Sequence, residues 1–169
     1  TINFNVMYMK SILIACVLLF LAGTTLTAQD YEYIGAAKCK MCHNKATTGA
    51  QYKLWAESKH AKAMESLVGD EKTNPQCTKC HSTAASVDED LIATITVDEG
   101  VSCESCHGPG SAYKSNTIMK DRAKALEKGM IMPDEAICLQ CHNEESPNYK
   151  GFNYKEYVKQ IAHPVPAAE

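Results

Sequence analysis

Apolar positions along the chain cluster in few places. From Ser11 to Leu26 they run almost without interruption, behind the single charge of Lys10, and polar residues resume at Gln29 after the small Ala28. That order predicts a secretory signal peptide over 1–28, starting at Met7 or Met9 and cut after Ala28. The run is shorter than the ~20 residues a spanning helix needs, so no stable membrane insertion is expected after cleavage. Cys16 lies too early in the run for lipid attachment. Further on, Ala56, His60, Ala63, Met64 and Leu67 recur at helical spacing, predicting a helix from Thr47 to Val68 capped by Gly69. Leu91 to Val97 is the only good strand pattern, enough for an edge strand or short hairpin. Short helices are expected over 121–128, closed by Gly129, and over 153–161, ended by His163-Pro164. Gly108-Pro109-Gly110 breaks the chain ahead of both.

These elements do not add up to a core. From Gln29 onward Leu, Ile, Val and Phe together make only 19 of 141 residues. A fraction that low belongs to disordered chains, but the small net charge and the abundant cysteine do not. Something other than side chains must fill the interior. Basic residues number 16 against 20 acidic ones in this region, a balance that gives no reason to expect nucleic acid as a partner.

The cysteines say what fills it. All eight beyond residue 28 fall into four units of one form: Cys39-Lys-Met-Cys42-His43, Cys77-Thr-Lys-Cys80-His81, Cys103-Glu-Ser-Cys106-His107 and Cys138-Leu-Gln-Cys141-His142. This C-x-x-C-H pattern marks c-type haem attachment. The two thiols form thioethers with the haem vinyl groups, and the following histidine coordinates iron from the proximal side. A disulfide framework or a pair of four-cysteine zinc sites would account for the thiols and leave four histidines without a role. The expected fold is therefore mainly α with little regular structure: one tetrahaem domain over 29–169, its helices and loops wrapped around four closely packed, covalently bound haems c. Their flat apolar faces replace the missing aliphatic core.

Six histidines are present. Four are proximal, and His60 and His163 are the distal candidates. Two haems then lack a histidine sixth ligand. Met130 and Met132, next to Pro133, are the leading methionine candidates for those positions, because thioether sulfur is a known axial ligand. An open five-coordinate iron or a ligand from another molecule are the alternatives.

Several stretches resemble a family of multihaem cytochromes c, which includes the tetrahaem cytochrome that accepts electrons from hydroxylamine oxidoreductase. They are Gly35-Ala36-Ala37-Lys38-Cys39, Trp55-Ala56-Glu57-Ser58-Lys59-His60-Ala61, Cys103 through Ser111, and Ala162-His163-Pro164. The resemblance implies bis-histidine haems for electron transfer, sometimes with one open site, and supports His60 as a distal ligand. It also implies a histidine two residues beyond the Gly-Pro-Gly-Ser stretch, where this chain has Tyr113; the residue could coordinate, bond a bound water, or cover a haem. The expected role is an exported electron carrier, periplasmic or extracellular, docking transiently with redox partner proteins. The alternatives are a small-molecule oxidoreductase at one open haem and a subunit of a haem filament, for which homo-oligomers are allowed. No cluster of acid, base and cationic residues marks a catalytic site.

Overall fold

The structure, a computed structural model, describes residues 31–164. The signal-peptide expectation lies outside the described residues. Eight α-helices occur among them: α1 Ala36–His43, α2 Gln51–Glu57, α3 Pro75–His81, α4 Cys103–His107, α5 Asn116–Met119, α6 Arg122–Glu127, α7 Glu135–Leu139 and α8 Tyr154–Ile161. Short 3-10 turns and irregular loops join them, and none of these helices is long and apolar enough to cross a membrane.

The helices are placed by the attachment units. In the first three units a helix ends on the histidine itself, at His43, His81 and His107. Helical geometry puts residues i, i+3 and i+4 on one face, so both thiols and the imidazole of a unit point the same way. In the fourth unit α7 closes at Leu139, and the turn is carried on by the His142 amide donating to the Cys138 carbonyl at 2.9 Å. Local polar chemistry starts the helices. Asn74 caps α3, with Pro75 behind it, while Asp121 caps α6 and Asp134 caps α7.

The helix expected over 47–68 is not continuous. It begins at Gln51, after Ala50 in a left-handed turn, and stops at Glu57 because Ser58 is extended. Tertiary demand explains the break. The His60 carbonyl accepts from Val101 at 2.9 Å and from Ala63 at 3.1 Å, partners that an uninterrupted helix would not offer. Residues 91–97 form no strand with a ladder among the described residues; Tyr33 alone bridges to Ile92. The helices expected over 121–128 and 153–161 are α6 and α8.

The protein core is sparse and unusually polar. Its buried hydrophobic residues are Ile34, Ala36, Leu67, Ala84, Ile95, Tyr113 and Ala125, while Glu104, Thr83, Ser82 and Ser102 are its largest fully buried side chains. Glu104, 2% exposed, accepts from the amides of Ile34, Gly35 and Gly110 at 2.6–3.1 Å. Glu99 accepts from the Ala36 amide and the Ser102 hydroxyl. Two carboxylates from the stretch before and within the third unit thus serve the N-terminus of α1, which lacks a side-chain cap of its own. The helix dipole and the unpaired amides there both favour negative charge. Burial pushes the Glu104 carboxyl up, against the pull of the three amides.

Candidate haem sites

The motif cysteines approach one another across units. Cys39 and Cys103 are neighbours, as are Cys80 and Cys141. Cys106 lies within electrostatic reach of Cys138. Among the described residues no three His, Cys, Asp or Glu side chains converge to chelate an ion; the histidines meet in twos.

Those pairs carry the site. The rings of His60 and His142 lie 6.1 Å apart between centroids, and those of His107 and His163 lie 5.8 Å apart. An iron held by two imidazoles at ~2 Å from each nitrogen, the usual metal–imidazole distance, separates ring centroids by about 6 Å. The residues therefore fit haem iron held from both sides. Burial lowers the basicity of all four rings, which favours the neutral, ligating form.

The second ring nitrogen of each proximal histidine is handled differently. His107 Nδ1 meets the Ile131 carbonyl at 3.2 Å, and His81 Nδ1 meets the Ala63 carbonyl at 2.8 Å. His43 Nδ1 lies 3.4 Å from Gln51 Oε1. Such partners fix the tautomer and aim Nε2 at the metal. His142 instead stacks on Phe152, with centroids 4.8 Å apart and planes inclined by 19°, and Phe152 stacks in turn on Tyr157 of α8.

His60, the partner ring of His142, is held through its backbone. Trp55 of α2 donates from Nε1 to the Val101 carbonyl at 2.8 Å, and the Val101 amide returns to the His60 carbonyl. Gly100, at φ +69°, makes this approach feasible: a Cβ there would come within 2.6 Å of the His60 carbonyl oxygen.

Three residues singled out in the sequence, Met130, Met132 and Tyr113, lie beside the backbone of His107. The Ile131 amide donates to the His107 carbonyl while its own carbonyl meets the His107 ring. The segment carrying Met130 and Met132 therefore runs along the Nδ1 side of that ring, and Met132 is 45% exposed. Tyr113, 8% exposed, spends its hydroxyl on the carbonyls of His107 and Gly108 at 3.1 and 2.8 Å. Burial pushes its phenol well above the usual range, so it is a neutral donor closing the end of α4. Sequence reasoning missed the roles of Glu104, Gln51 and Phe152; none carries a local pattern that distinguishes it.

The family profile described as cytochrome c554 and c-prime matches residues 38–108. A curated cytochrome c-554 from Nitrosomonas europaea is 32% identical over a 208-residue alignment that covers 89% of this chain and 84% of the relative. The solved structure of reduced cytochrome c554 from the same organism superposes with a TM-score of 0.57 at 25% identity, covering 78% of this chain and 84% of that one. The chain accordingly belongs to the cytochrome c554 family and is an electron-transfer cytochrome carrying four covalently bound haems c.

Proposed function

We propose that the chain is an exported carrier in which His60 and His142 are the axial pair of the fourth haem and His163 and His107 that of the third. The observation that carries this reading is the pair of imidazole couples at 6.1 and 5.8 Å. Cys39 and Cys42, Cys77 and Cys80, Cys103 and Cys106, and Cys138 and Cys141 hold the four groups covalently. His43 and His81 are the proximal ligands of the first and second haems. All six histidines are then used, and no histidine remains for the far side of those two. Each haem supplies a one-electron iron couple; the protein sets ligation, solvent access and exposure to partners. Docking is transient and with redox proteins, in the periplasm or outside the cell.

Carbon monoxide difference spectroscopy of the dithionite-reduced protein, quantified per chain, tests the ligand assignment. Binding at the first and second haems only is expected. Absence of binding would transfer their sixth positions to Met130, Met132 or a second molecule. Binding at all four would overturn the imidazole pairs.

A further inference from the structure

Gln51, in the first turn of α2, is engaged at both ends of its side-chain amide. Its Nε2 donates to the Pro164 carbonyl at 3.0 Å and to the Thr48 carbonyl, while its Oε1 faces His43 Nδ1 at 3.4 Å. The two carbonyls accept only from an N–H donor, so the orientation of the amide is dictated by its partners. Gly49, at φ +98°, clears the way: a Cβ there would lie 2.6 Å from both the Pro164 oxygen and Gln51 Nε2. His163 needs this support. Its Nδ1 is buried with no hydrogen-bond partner, so nothing grips the ring from behind as Ile131 grips His107. Its position depends on the backbone on either side, where the Ala162 amide is tied to Val158 at 2.8 Å and the Pro164 carbonyl to Gln51.

We propose that Gln51 is a positioning residue shared by two haem sites, its carbonyl orienting His43 of the first unit and its amide holding the segment that presents His163 to His107. The proposal rests on the histidine pairing above. A shift of either ligand is passed to the other through one side chain.

Full-length holoprotein variants test it. His163→Ala comes first and should convert one low-spin haem to high spin and add one carbon monoxide site per chain. Gln51→Leu removes both contacts. It should raise carbon monoxide affinity at that same haem about tenfold, as loss of an outer-shell partner typically does, and raise the midpoint potential of a second haem, because His43 becomes a less basic ligand. Gln51→Glu keeps an acceptor for His43 but sets a carboxylate against the Pro164 carbonyl. It should labilise the same haem and lower the second potential, by about 59 mV for a tenfold change in a one-electron equilibrium. Opposite potential shifts with a common labilisation are the expected signature. Parent-like spectra and carbon monoxide binding in both Gln51 variants, or potential shifts of one sign, would overturn the role of Gln51 and leave the pairing intact. Unchanged spectra in His163→Ala would overturn the pairing itself, and the proposal with it.

Discussion

At the scale of single residues, the polar interior makes the sharpest forecasts. Glu104 stands between the two cysteines of the third unit, yet its work is done on the backbone at the start of α1 and at Gly110. Glu104→Ala leaves three buried amides without an acceptor. The expected loss is about 3 kcal/mol, the cost of stripping a charged partner from buried donors, and urea unfolding of the holoprotein would show it. Gly100→Ala places a methyl against the His60 carbonyl at a backbone angle that alanine resists. It should displace His60 and raise the high-spin fraction of one haem, read by electron paramagnetic resonance of the oxidised protein. The same residues show where local pattern runs out. Each C-x-x-C-H unit is legible because its chemistry lies within five consecutive positions. The Glu104 bonds span 6 to 70 residues, and no spacing rule in the sequence announces them.

Among the elements, the contrast between α2 and α8 is the instructive one. Both carry a helical repeat, and α8 forms where that repeat places it because Tyr154 to Ile161 satisfies its own backbone. The stripe from Ala56 to Leu67 is equally regular and is interrupted, since the His60 carbonyl is taken by Val101 and the Trp55 ring anchors the same loop. Periodicity alone predicts the long helix; the break is tertiary override, and it is what turns His60 toward His142. The choice of His60 and His163 followed from counting histidines, but their partners did not, because those contacts join residues far apart in the chain. Element packing also sets the environment of His142. Phe152, backed by Tyr157 of α8, fixes the rotation of that imidazole by stacking. Phe152→Leu should shift the low-spin resonance of the haem that His60→Ala converts to high spin, with haem content unchanged. Phe152→Tyr, which keeps the ring, should restore the parent signal.

For the whole molecule, the sparse aliphatic core has a direct consequence. Seven buried hydrophobic residues among those described, most of them small or medium in size, cannot offset the conformational entropy of a chain this long. The polypeptide expressed without haem attachment should lack cooperative thermal unfolding and give a disordered far-ultraviolet circular dichroism spectrum, whereas the holoprotein should be helical and cooperative. Folding and cofactor loading are one event in such a protein, as in small metal-dependent domains. The thiol contacts between units carry a different message. Cys80 neighbours Cys141, Cys138 lies within electrostatic reach of Cys106, and Cys103 neighbours Cys39. Joined end to end, these three links thread the units in the order second, fourth, third, first, which is not the order in which they are translated. The row has two terminals, His81 at one and His43 at the other, and those are the two positions for which no histidine is left over. Under the histidine pairing proposed above, such a row is a series circuit whose middle members carry two imidazoles each and whose end members carry one.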